Sequence, residues 1–208
     1  MTSKTIFATS RMAVLAAAVS AATLLGACAP LLVGGAMVGT ALSVTDRRTS
    51  GAQLEDQSIE LKAINRVREA AGSDANVSVT SYNRTVLITG EVPTEAARVA
   101  TEQAVARIEN VRGTVNELAV MGSTTLAARS NDAILGSKVK AAFVDANDLQ
   151  ANAFTGVAER GTIYLMGRVT EREANRATEL ARATSGVGKV VKVFEILSEA
   201  ELASMQSR

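Results

Sequence analysis

Apolar residues recur at helical spacing twice in this chain, over Ile59, Ala63 and Val67 and again over Leu135, Val139 and Phe143. A period near 3.6 marks the buried face of a helix, and a period of two marks a strand. After each helix the period shortens. Val77 and Val79 alternate with polar residues, and the runs "VLITGEV" and "IYLMGRV" follow the tight turns "YNRT" and "ERGT". Asn83 and Gly161 suit the positive φ that such hairpin turns need. Thr94, and Thr170 with Glu173 three residues on, then read as helix starts, the second as a capping box. The helices they open carry small residues in a stripe: Ala97, Ala100, Ala104 and Ile108 in the first, and Ala174, Ala177 and Ala181 in the second. A last apolar run closes each unit.

The pattern is a repeat. "RTVLITGEVPTEAARVATEQA" from Arg84 aligns with "GTIYLMGRVTEREANRATELA" from Gly161, 77 positions later. Gly90 falls on Gly167, Val92 on Val169, Ala97 on Ala174 and Ala100 on Ala177. Downstream "NVRGTVNELAV" aligns with "GVGKVVKVFEIL", and upstream Asp56 of "DQSIELKAI" aligns with Asp132 of "DAILGSKVK". Two copies of one small domain follow, over 54–121 and 130–198, joined by a polar linker at 122–129 and ended by a tail at 199–208. Each reads α-β-β-α-β, an α+β unit with two helices packed on one face of a three-stranded mixed sheet.

Before the repeat the chain changes character. Lys4 and Arg11 are its first charges, and "MAVLAAAVSAATLL" over residues 12–25 is apolar and rich in Ala. Fourteen helical residues span roughly 21 Å, short of the ~30 Å hydrocarbon core, so the segment reads as a secretory signal peptide. Cys28, the only cysteine, follows this core. A buried core thiol and an uncut membrane anchor are the rival readings. No domain surrounds the thiol, and Pro30 with Gly34-Gly35 interrupts a spanning helix. Residues 28–53 then form a tether, apolar in "APLLVGGAMVGTALSVT" and polar in "DRRTSGAQ".

Composition removes several functions. The chain carries 22 Lys and Arg against 21 Asp and Glu, and 3% aromatics without Trp, which disfavours nucleic acid. His is absent, so the commonest general base and zinc ligand are missing. Ser137 and Lys138 are neighbours on a helix and point to different faces. Asp145 and Asp148 lack a glycine-bearing calcium loop. Gly90 and Gly167 open no phosphate-binding run and read as sites of close backbone approach. No enzyme activity, metal, cofactor or small-molecule substrate is expected. Charge separates the copies: 7 basic and 10 acidic residues in the first, 9 basic and 8 acidic in the second. The first helix of copy two sets Ile134, Leu135, Lys138 and Lys140 close together, an apolar wedge with lysines that suits an anionic membrane surface. A helix with one buried face and two snorkelling lysines is the plainer reading of the same residues.

"V-x-L-x-G-x-V" before a helix with "A-x-x-A", then "G-V-x-x-V", resembles the BON domain (bacterial OsmY and nodulation domain). Leu25-Gly26-Ala27-Cys28 resembles a bacterial lipobox. Together they resemble the dual-BON-domain outer-membrane lipoproteins. The resemblance implies cleavage after residue 27, and diacylglycerol and an N-acyl chain on Cys28. Ala29, not Asp, follows the cysteine, which in that family implies the outer membrane, with the domains facing the periplasm. It further implies that the second BON domain binds anionic phospholipid near the helix of Ile134, where family members have an aromatic, and that the protein supports outer-membrane integrity, with enrichment at division sites. An adaptor for envelope assembly or peptidoglycan-remodelling proteins is the alternative.

Overall fold

A computed structural model describes residues 46–206. The helices start where threonines can cap them. Thr49, Thr94 and Thr125 each accept from the backbone N–H three residues on, and Thr170 and Glu173 close a reciprocal capping box. Such a cap is worth about 1 kcal/mol. In copy one, α1 (Ser50–Ala71) leads to β1 (Asn76–Tyr82), β2 (Thr85–Val92), α2 (Glu95–Ala106) and β3 (Gly113–Val120). Copy two follows with α3 (Leu126–Asp145), a single 3-10 turn over Ala151–Ala153, β4 (Phe154–Glu159), β5 (Thr162–Thr170), α4 (Glu171–Ala183) and β6 (Lys189–Leu197). α1 and α3 begin four residues before the repeat edges at 54 and 130, so part of the expected tether and linker is helix. The tail is also helical, as α5 (Glu199–Gln206), with Leu202 buried.

Each sheet is mixed. β2 sits between antiparallel β1 and parallel β3, and β5 sits between antiparallel β4 and parallel β6. The helices cover one face. Ile59, Ala63 and Val67 of α1 meet Val86, Ile88 and Val92, while Leu135, Val139 and Phe143 of α3 meet Ile163, Leu165 and Val169. In α2 the buried face departs from the expected stripe: Ala100 is exposed, and Thr101 and Val105 are fully buried in line with Ile108. Thr101 fits because its hydroxyl donates to Ala97 O at 2.7 Å.

The second sheet face is not free. Tyr82, Leu87 and Val115 of copy one pack against Tyr164, Met166, Val157 and Val191 of copy two. The molecule is therefore layered helices, sheet, sheet, helices. Alternate residues of β2 and β5 enter a helix-side core or this seam, which accounts for their unbroken apolar runs. Polar bonds close the seam. Arg160 bonds Glu91 Oε1 at 2.8 Å and Gly90 O at 2.9 Å, and the Arg168 N–H donates to Tyr82 Oη at 3.3 Å.

The aligned Asp pair has a clear structural job. Asp56 accepts from the N–H groups of Asn83 and Arg84 at 2.8 and 2.7 Å, from Ser81 Oγ at 2.7 Å and from Arg48 at 2.9 Å. Asp132 accepts from the N–H groups of Arg160 and Gly161 at 2.8 and 2.9 Å. Both turn residues of each hairpin have positive φ, including Asn83, Arg84 and Arg160. A helix carboxylate thus holds each two-residue turn in its left-handed form. Gly90 and Gly167 sit at another tight point. A Cβ at Gly90 would lie 2.0 Å from Asn76 O, with φ at +114°, and one at Gly167 would lie 2.5 Å from Ala153 O. The close approach is between backbones, with the neighbouring strand β1 at Gly90 and with the 3-10 turn before β4 at Gly167.

Candidate membrane interface

The apolar–basic helix of copy two is α3, and its core stripe fixes what remains outside. Leu135, Val139 and Phe143 turn inward, with Phe143 edge-on to Phe154 at 5.3 Å between ring centres. Leu135 is 6% exposed, so it belongs to the core and not to the expected wedge. The stripe that predicts the helix already assigns it there. Ile134, one position earlier, is 54% exposed. Lys138 lies one turn further along the same exposed face.

Lys140 is separated from this pair. Six residues from Ile134, it lies on the other flank and donates from Nζ to Ala151 O at 2.7 Å. Burial lowers its ammonium from the ordinary lysine value. The structure thus joins Ile134 with Lys138 and sets Leu135 and Lys140 apart. It adds exposed Leu126, Arg129 and Val144 to the outer side of the helix. The one carboxylate within α3 before Asp145 is Asp132, turned inward onto the hairpin turn. Ser137 bonds its own helix, from Oγ to Ala133 O at 2.9 Å, and Asp148 pairs with Arg176 at 2.8 Å.

The segment entering the fold is fastened beside these elements. Arg47 makes a two-point bond to Glu173 of α4, both distances 2.7 Å, and also donates to Arg168 O. Arg48 pairs with Asp46 and Asp56 and stacks over the Tyr82 ring at 4.3 Å from its centre. Burial alone would raise the Glu173 carboxyl, but the bonds from Arg47 and from the Thr170 N–H hold it below its ordinary range. "DRRT" is therefore a docked strap and not a loose linker. Nothing periodic announces it, because its anchor on copy two is an ion pair across 126 residues of sequence. Cys28, the signal segment 1–27 and the tether up to residue 45 lie outside the described residues. Among the described residues no helix is long and apolar enough to cross a membrane.

The BON domain profile matches residues 56–122 and 131–198, both copies nearly end to end. The chain belongs to the BON-domain family. The BON repeats extend to whole-chain likeness: the protein is 34% identical over 186 residues to "Outer membrane lipoprotein DolP" of Haemophilus influenzae, covering 88% of this chain and 95% of the relative. It is 29% identical over 151 residues to "21 kDa hemolysin" of Actinobacillus pleuropneumoniae, covering 72% of this chain and 78% of the relative. Among solved structures, CdsD, a structural protein of the type III secretion system of Chlamydia trachomatis, is similar at a TM-score of 0.29 and 10% identity, over 70% of this chain and 97% of that one. That last likeness is too loose to carry an argument. This BON protein is a dual-domain lipoprotein of the outer membrane.

Proposed function

We propose that this BON protein is lipid-anchored through Cys28, faces the periplasm, and binds anionic phospholipid with the exposed face of α3, so supporting the integrity of the outer membrane. It acts by binding and not by catalysis. The observation that carries the reading is that α3 presents Ile134, Lys138, Leu126 and Val144 outward, while Asp132 is withdrawn into the turn. A surface helix with apolar and basic positions lies comfortably in the headgroup layer, and the one exposed carboxylate of α3, Asp145, stands at its C-terminal end. Copy two is also the more basic half.

Each basic residue near an anionic surface contributes about 1 kcal/mol. Lys138→Glu reverses one, so binding of Leu42–Arg208 to phosphatidylglycerol vesicles should fall about tenfold or more, since about 1.4 kcal/mol is a factor of ten. The loss should shrink in high salt, where screening weakens the native chain too. Ile134→Asp should weaken binding at every salt concentration, because it removes insertion. Unchanged binding by both variants would remove α3 as the membrane face and leave the adaptor reading.

A further inference from the structure

Copy one carries a groove that copy two has narrowed. It runs between α1 and β1, with a volume of about 970 Å³, and is lined by Leu61, Ile64, Val67, Val77 and Val79. Leu61 and Ile64 are 68% and 53% exposed. The matching space in copy two holds about 290 Å³, because Phe143 and Phe154 stand where copy one has Val67 and Val77. The outer positions differ in the same sense. Leu54, Leu61 and Ile64 align with Ser130, Ser137 and Lys140. The same fold is thus built with polar residues at these sites, so the fold alone does not require apolar ones there. An exposed apolar patch of this kind marks an interaction site.

The wall of the groove says what shape of partner fits. β1 is an edge strand. The hairpin pairs Tyr82 with Thr85 across a two-residue turn, so the Tyr82 backbone faces β2 and that of Ser81 faces outward. The Ser81 N–H does point outward, to Glu60 Oε1 at 2.8 Å. Backbone direction alternates along a strand, so the N–H and C=O groups of Val77 and Val79 face the same open edge. Glu60 closes the end next to the turn. In copy two Lys140, a residue type that blunts sheet edges, takes the place of Ile64.

We propose that copy one binds an extended apolar peptide segment of a partner protein, which adds to β1 as a fourth strand. Its backbone pairs with Val77 and Val79, and alternate side chains enter the groove against Leu61 and Ile64. Strand addition draws affinity from main-chain bonds and specificity from such alternate pockets. This site lies in the other copy from the lipid-binding helix and is independent of it.

The test uses Leu42–Arg208, a compact unit of its own that holds both cores and the seam. The probe is a blocked heptapeptide alternating valine with serine and ending in lysines, followed by nuclear magnetic resonance of the backbone amides. The proposal requires that the peptide shift and protect the Val77 and Val79 amides. Leu61→Ser with Ile64→Lys, the residues of copy two, should weaken binding at least tenfold at unchanged melting temperature. N-methylation of the peptide backbone should do the same, and Ile134→Asp should change nothing. Silence at Val77 and Val79, or equal binding by the double variant or the N-methylated peptide, overturns the proposal. So does perturbation of the same amides by phosphatidylglycerol vesicles without peptide, which would give the groove to an acyl chain.

Discussion

Replacing Asp56 by Ala should be among the most damaging single changes in the protein, and more damaging than the same change at Asp132. Asp56 accepts four hydrogen bonds of 2.7–2.9 Å, two from turn N–H groups, one from Ser81 and one from Arg48. Asp132 holds the two turn N–H groups of its own hairpin. Hydrogen bonds to a charged group contribute about 1.5–3 kcal/mol each. The turn tips can recover water, so counting only the better-buried half of the four bonds puts Asp56→Ala at about 4 kcal/mol. Asp132→Ala comes to about 1.5–3 kcal/mol on the same count. For a unit of this size, about 4 kcal/mol lowers the melting temperature by roughly 8–16 °C. Urea unfolding of Leu42–Arg208 followed by circular dichroism reads both variants, with an unchanged slope confirming that stability alone has moved. A cost below about 1 kcal/mol at Asp56, or a larger cost at Asp132, would refute the idea that these carboxylates hold the hairpins.

Acid should loosen the seam and the strap. Burial raises the Glu91 carboxyl, but bonds from Asn76, Arg160 and the Thr124 N–H outweigh it and leave it below its ordinary value, as Arg47 does for Glu173. Both bind fewer protons folded than unfolded, so their contribution is full above about pH 4.3 and is lost as pH falls through their depressed values. Glu159, raised by burial and by the nearby Glu91 charge, works in the opposite direction. Arg160→Met should therefore flatten the acid limb of the stability–pH curve, and an unchanged limb counts against the Arg160–Glu91 pair. Gly90→Ala should prevent folding or cost more than 3 kcal/mol, since it adds both a clash and strain at positive φ; near-normal stability of the purified variant would deny the close approach. Cys28→Ser should leave the full chain unlipidated and unprocessed in cell fractions, and its normal recovery with the outer membrane would dismiss Cys28 as the anchor.

Much of one BON unit is legible in the sequence because its helices and strands each bury a single periodic stripe. Ile59, Ala63 and Val67 announce α1, and Thr170 with Glu173 announces the start of α4. The seam between the copies was written less plainly. "VLITGEV" and "IYLMGRV" are apolar at nearly every position, a sign that both faces are covered, but periodicity cannot say by what. The strap was illegible for a different reason: Arg47 pairs with Glu173, which lies 126 residues away in the sequence. At the membrane face, clustering in sequence overstated clustering in space. Leu135 obeys the core stripe, and Lys140 turns toward the Ala151 carbonyl. Only Ile134 and Lys138, one helical turn apart, remain together.

Insertion of α3 into a bilayer can be read directly, because the chain from Leu42 onward has no cysteine of its own. A polarity-sensitive fluorophore on Ile134→Cys is compared with the same label on Ser58→Cys, the aligned position of copy one. On mixing with phosphatidylglycerol vesicles, the label at 134 should shift to the blue and be quenched by bromines in the upper acyl chains, while the label at 58 stays in water. Equal responses at the two sites, or insertion at 58 alone, would contradict membrane binding through copy two.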